Sequence, residues 1–452
     1  MHKSIAGIAL GLILFPIAAG AGEITFDVDM GGPQATIDSN GLTLSSGTNA
    51  NEFSTDGTLA GDSDNAVPTE KAVKTYVDNS TGTLIVNMPD FSSPSETTAP
   101  SVSAIKDFVD NHSSRNLLVN GGFRIAQRGT TFDASTTSPN DDNENILDRW
   151  VLISNGNDIV DITQESSDVP TGAHNAIKFN VQTADKQFGI FQALSSVDSS
   201  IIIGGKASLR FDAKTASGAL SNVRAEVVCW AGTADGTGSP ARIPDPIGTW
   251  AGGGTNPTLA TNFTAENTGS DLGLSDSYQT FAIENISIDT ASCNNVGVII
   301  WVDDTTISTG SLLYISNIHL NKGETSTPAN PRLRSEELLL AQTFFYSLGS
   351  SDYAYNAVGL VDGGSGGGAV YVTMPVEMYK APLPSFIGNY HFKYGDTFST
   401  ALSSIASTTT GTRVVTVSGY PSGSLSSGQH YVLRANNDTS ARFHFDAEIQ
   451  GN

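Results

Sequence analysis

The residues with most to offer a ligand are four tryptophans, Trp150, Trp230, Trp250 and Trp301. An indole face gives the C–H side of a sugar ring an apolar contact, while nearby Asn, Asp and Arg bond its hydroxyls. Trp250 lies in residues 231–262, a Gly-, Pro- and Thr-rich stretch that reads as a surface loop. It is the first candidate for stacking. Trp230, at the end of the strand-like run Val223–Trp230, is the second. Trp150 and Trp301 fall within strand patterns and read as core.

Other chemistry is sparse. Asp141, Asp142, Asn143 and Glu144 gather hard oxygen donors ahead of a strand, which suits either a calcium ion or a solvated acidic loop. Cys229 and Cys293 stand too far apart for a CxxC metal or redox motif. They are two thiols in or beside strands, free or bridged if the chain is exported. Gly363-Gly-Ser-Gly-Gly367 matches an esterase pattern but sits in a Gly/Ser run with no strand–turn–helix around it. The seven histidines are scattered. No catalytic constellation stands out, and a non-enzyme is expected.

The elements that must position these residues are mainly strands. Short runs rich in Val, Ile, Phe and Thr alternate with Gly, Asn, Asp, Ser and Pro from Arg115 to about 325, as in an antiparallel β-sandwich. Examples are 187–192, 207–213, 223–228, 278–283 and 296–302. Charged residues are only 15% of the chain, and its net charge is −23. Such a surface repels phosphate backbones, which argues against nucleic acid as a partner.

Outside the sandwich the chain reads as equipment for holding it. Residues 1–21 have a basic start, a short apolar core and an Ala19-Gly-Ala21 cleavage signature, so they read as a signal peptide or, uncleaved, a hydrophobic anchor. Residues 22–114 are polar and contain an internal repeat. Pro68-Thr-Glu-Lys-Ala-Val-Lys-Thr-Tyr-Val-Asp-Asn79 returns as Pro100-Ser-Val-Ser-Ala-Ile-Lys-Asp-Phe-Val-Asp-Asn111. Two short helices, 67–79 and 99–111, are expected. Their stripes, Val73, Tyr76, Val77 and Ile105, Phe108, Val109, call for an intermolecular, coiled-coil-like neck, because helices this short are marginal alone. A linker segment, 326–349, carries a helix over 335–348, and 350–452 is again β.

Particular motifs carry a resemblance. Asn116-Leu-Leu-Val-Asn-Gly-Gly-Phe123 resembles the first strand of jelly-roll carbohydrate-binding modules. The longer pattern, with Gln127-Arg-Gly129, Asp148-Arg-Trp150, Val298-Ile-Ile-Trp-Val-Asp-Asp304 and Glu336-Glu-Leu-Leu-Leu-Ala-Gln342, is similar to a domain of bacteriophage tail fibres and tail-associated receptor-binding proteins. The repeated helix resembles a trimeric element of tail-fibre shafts. The resemblance implies a trimeric virion protein for host attachment that binds a cell-surface glycan alongside other tail proteins, with a structural calcium as its one implied ion. A secreted bacterial surface protein binding polysaccharide is the alternative, and a polysaccharide depolymerase is the third.

Overall fold

The structure is a computed structural model. It describes residues 24–26, 35–38, 41–44, 52–60, 66–81, 85–86, 99–100, 115–135, 139–216, 220–238, 241–289, 292–304, 306–328, 330–349, 355–360, 368–394, 398–421, 430–435, 438 and 440–451. The chain divides into two compact units, Met1–Phe108 and Val109–Asn452.

In the first unit, Ile24–Phe26, Ala35–Asp38 and Gly41–Leu44 form an antiparallel sheet. Glu52–Ser54 pairs in parallel with Ala66–Pro68, and Ile85–Val86 with Ala99–Pro100. The helix Glu70–Thr81 starts later than the expected 67–79. Pro68 closes the preceding strand, and Thr69 caps the helix: its Oγ1 accepts the Ala72 amide at 3.2 Å. Ala72 is buried, while Val73, Tyr76 and Val77 are 41, 44 and 49% exposed. The expected second helix, 99–111, opens instead on the strand Ala99–Pro100, and the rest of it, with Ile105, Phe108 and Val109, lies outside the described residues. So does the segment 1–21.

The second unit holds the sandwich. One sheet runs, in spatial order, Gln279–Ser287, Lys206–Ala216, Leu312–Lys322, Ala176–Val181, Val160–Glu165 and Thr131–Phe132. The other runs Phe263–Ala265, Asn222–Trp230, Asn295–Val302, Phe188–Ala193 and Val151–Ser154, with Leu272–Gly273 added on Asn222–Trp230. Neighbours in both sheets are antiparallel. Side chains alternate across a strand, so Lys206–Ala216 buries Ala207, Leu209, Phe211 and Ala213 and turns Arg210 and Asp212 outward. The core between the sheets also takes Phe179, Leu152, Ile190, Val298 and Ile300. Gly121 is required where the first segment meets the sandwich, because a Cβ there would stand 2.0 Å from the Ile318 carbonyl oxygen.

The strand Asn295–Val302 is buried along its whole length, because its sheet is covered on both sides. Val296, Val298, Ile300 and Val302 face the inner core. Ile299 and Trp301 join a second cluster with Trp230, Ile243, Ile247, Phe263, Phe344 and Ile449. Part of that cover is the C-terminal region. The helix Arg334–Gln342 ends before the expected 348, and Phe345–Leu348 is a strand paired with Arg442–Asp446, which also pairs with Leu383–Ile387. Two aromatic residues explain the early stop. Phe344 is drawn into the cluster on the sandwich, and Phe345 is held in the new sheet. Beyond it, Tyr355–Leu360, Gly368–Thr373, Val414–Pro421, Phe398–Thr410, Tyr390–Tyr394 and His430–Ala435 close into a barrel.

A buried polar weld fastens this region to the sandwich. Arg149 pairs with Glu448 and lies 3.7 Å over the Phe344 ring. Arg128 lies 3.5 Å over Phe345 and pairs with Asp446 at 3.2 Å. Gln450 accepts the Ala193 amide and donates to the Arg149 carbonyl. Asp148 accepts from the Gln127 amide and side chain, both at 2.6 Å, and Glu337 of the helix accepts the Asn120 amide.

Candidate functional site

The two sheets present unlike outer faces. That of the Asn295–Val302 sheet is roofed by residues 243–263 and by the C-terminal region. That of the Lys206–Ala216 sheet carries a cleft of ≈ 330 Å³, lined by Pro170, Thr171, Arg210, Asp212, Tyr278, Thr280, Asn317 and Pro328.

Register places these side chains in rows across three strands. Lys178, Tyr314 and Lys214 form one row, and Ser316, Asp212 and Thr280 the next. His319, Arg210 and Ala282 form the third. Between Arg210 and Asp212 the register slips by one residue, and the extra residue is Asn317, held at φ 51°. A bulge of this kind re-aims a side chain. Here it brings Asn317 Nδ2 to 2.7 Å from Asp212 Oδ2, while Thr280 Oγ1 donates to Asp212 Oδ1 at 2.5 Å.

Tyr278 walls one end, with Tyr314 packed behind it. The rings of Tyr278 and Tyr314 meet edge to face, 6.5 Å between centroids. Lys214 Nζ sits 5.0 and 4.8 Å from them and is held by Asp168 at 2.6 Å. The turn that delivers Asp168 is set by Glu165, whose Oε1 accepts the Ser167 hydroxyl at 2.6 Å and the amides of Ser166 and Ser167. The Ser167 hydroxyl, then the backbone amides, hold the Glu165 carboxyl down to about 2. Tyr278 donates to the Asp168 carbonyl at 2.8 Å. Burial, then the Asp168 carboxylate, push its phenol above the ordinary value, so Tyr278 keeps its proton across the physiological range. The cleft thus offers aromatic surface, hydroxyl and amide groups, a carboxylate and a guanidinium.

The residues singled out by sequence lie elsewhere. Trp230 is 4% exposed, donates to the Thr233 carbonyl at 2.8 Å and packs on Phe263, so it is core and not a stacking platform. Trp250 is half-buried, because its loop folds down onto the cluster around Trp301 instead of standing clear. Trp150 and Trp301 are core, as their strand patterns predict. Asp141, Asp142, Asn143 and Glu144 run beside the strand Val151–Ser154. Asp142 accepts the Ser154 amide at 2.7 Å, and the Asn143 amide donates to the Leu152 carbonyl. Among the described residues no group of three or more Asp, Glu, His or Cys side chains is placed to hold a metal ion; Asp142 through its carboxylate, and Asn143 and Glu144 through their backbone, pair with that strand. Cys229 and Cys293 form a disulfide with Cα atoms 5.4 Å apart. Gly363–Gly367 lies outside the described residues.

The cleft residues were missed because they come from three strands and a turn far apart in sequence. One signal was present: in Lys206-Ala-Ser-Leu-Arg-Phe-Asp-Ala-Lys214 every outward position is polar and several are charged.

No protein-family model and no curated protein sequence matches the chain. Among solved structures, a carbohydrate-binding module, TmCBM61, in complex with β-1,4-galactotriose is 15% identical, over 46% of this chain and 100% of that one, with a TM-score of 0.26. The CBM22-1 xylan-binding domain of Paenibacillus barcinonensis Xyn10C is 9% identical, over 47% of this chain and 97% of that one, at 0.26. The enzymatically active domain of bacteriophage CBA120 tailspike protein 4 is 14% identical, over 46% of this chain and 21% of that one, at 0.28. The chain thus spans about a fifth of that tailspike domain. Likenesses this distant carry no function across; the β-sandwich stands on its own strand order and register.

Proposed function

We propose that the chain is a non-catalytic, glycan-binding receptor-recognition protein of a fibre, as in a phage tail or a phage-like particle. The observation that carries this reading is the open cleft on the Lys206–Ala216 sheet, where Tyr278, Asp212, Thr280, Asn317 and Arg210 converge. Two carboxylates elsewhere on the sandwich are already engaged. Asp303 and Asp271 both pair with Arg224, at 2.6 and 2.8 Å, and Asp303 also accepts the Gly254 amide. A glycosidase pair needs one carboxyl free to act as acid and one free to act as base or nucleophile. The neck helix supports assembly as a homotrimer, since its exposed Val73, Tyr76 and Val77 would be covered by other copies. Three weak sites on one fibre gain avidity on a repetitive surface.

The Cys229–Cys293 bridge favours a second reading, an exported bacterial surface protein with the same glycan-binding face, because disulfides persist in oxidising compartments. A glycan array with Asp212→Ala and Thr280→Val tests the shared core of both. Each variant is expected to lose retention about tenfold, ~1.4 kcal/mol, with little change in melting temperature. Retention equal to the unmodified protein would remove this cleft as the site.

A further inference from the structure

The strand beneath the cleft reverses the charge balance of the chain. The sequence has 46 acidic residues to 23 Lys and Arg. Yet the outward positions of Lys206–Ala216 are Lys206, Ser208, Arg210, Asp212 and Lys214, cations outnumbering the lone acid. Most of these groups are occupied. Lys206 donates to Ser287 Oγ at 2.6 Å, Lys214 is held by Asp168, and Asp212 has an oxygen on Thr280 and the other on Asn317. Arg210 differs. It lines the cleft, and among the described residues its guanidinium has no hydrogen-bond or ion-pair partner.

Resting on the glycan reading above, we propose that the cleft selects a sugar acid, with Arg210 as the anchor for the ligand's carboxylate. A guanidinium is always charged and presents parallel N–H donors that match a carboxylate's two oxygens. Asp212 makes no ion pair with it; its oxygens accept instead from Thr280 and Asn317. Asn317 keeps its amide oxygen and second N–H, and Thr280 its hydroxyl lone pairs, for ring hydroxyls, and Tyr278 offers the C–H face a wall. A polyphosphate is the poorer fit to so acidic a chain, since it would bring its whole charge close to the surface. A saccharide carries one carboxylate per acidic ring, and charges beyond about 8 Å are screened at physiological salt.

The test uses uronic-acid oligosaccharides and N-acetylneuraminyl-lactose, each beside its carboxyl-reduced counterpart, with the full chain and with Arg210→Gln and Arg210→Lys. The expected result is that at least one acid binds tenfold or more tighter than its reduced form. Arg210→Gln should abolish that preference, and Arg210→Lys should restore part of it. Thermal melts of the variants confirm folding. Equal binding of acid and reduced forms, unaffected by Arg210→Gln, would overturn the sugar-acid assignment while leaving glycan binding intact. No binding to either set, nor to neutral polysaccharides, would overturn both.

Discussion

The outer faces of the two sheets are built from the same alternation and end as opposites. On Asn295–Val302 the outward residues are Ile299 and Trp301, and they are buried by a folded-down loop and by the C-terminal region. On Lys206–Ala216 they include Arg210 and Asp212, which line an open cleft. An apolar outer face cannot stay in water, so it recruits cover. A polar one can, and stays available to a ligand. The covered face should therefore answer mutation with lost stability, and the open face with lost binding.

The largest effects are expected at the cover. Trp301→Ala should cost about 3–5 kcal/mol through lost burial and a cavity. Arg149→Met should cost a similar ~3–5 kcal/mol, because it strands the Glu448 carboxylate, itself 0% exposed, beside Arg128 alone. Denaturant titration measures both. Glycan retention by whatever folded protein remains should be unchanged, and a selective loss of binding in either variant would dissolve the contrast between the faces. Next in size is the bridge. Cys229→Ser with Cys293→Ser should cost about 2–4 kcal/mol, again without touching the cleft. A double variant with an unshifted urea midpoint would show that the bridge constrains nothing.

A pH effect should also belong to the covered side. His444 lies on the strand Arg442–Asp446, edge to face with Phe345. Burial first, then Arg128 and Arg442, hold its pKa down to about 4. An unfolded histidine titrates near 6.5, so between about 6.5 and 4 the unfolded chain binds more protons than the folded one. Stability is then highest above that window and declines as pH falls through it. Melting temperature against pH for His444→Gln, compared with the unmodified protein, isolates the contribution. Parallel curves between pH 4 and 6.5 would rule it out.

How much of this was legible depended on range. The sandwich strands announced themselves through period-two alternation and turn residues, but they did not announce that the sheet of Asn295–Val302 is covered on both faces. What covers it was not legible, because Phe344 and Ile449 lie far along the chain. The end of the linker helix was misread for the same reason: Thr343–Leu348 has helical periodicity, but Phe344 and Phe345 are claimed by separate tertiary partners. Gln127-Arg-Gly129 and Asp148-Arg-Trp150 were legible as motifs but not as to their work. Arg128 and Arg149 bind Asp446 and Glu448. They fix the module to the sandwich, away from the proposed cleft. The cleft is assembled by register, and a single bulge at Asn317 completes it, which no local pattern reveals.

The smallest effect expected is at Trp250, and it sharpens the comparison most. As a loop tryptophan it reads as the natural sugar platform, yet it packs half-buried on the covered side. If the faces divide their work as proposed, Trp250→Ala should cost only ~1–2 kcal/mol, the share of ring area it hides, and should leave glycan affinity within about twofold. Tyr278→Ala, by contrast, removes a wall of the cleft and should weaken binding about tenfold, ~1.4 kcal/mol, at a comparable cost in stability. Calorimetric titration of the two variants side by side with one bound saccharide decides between the faces. Were Trp250→Ala to abolish binding while Tyr278→Ala kept it, the ligand would sit on the roof of the covered sheet, and the open cleft would be surface without a task.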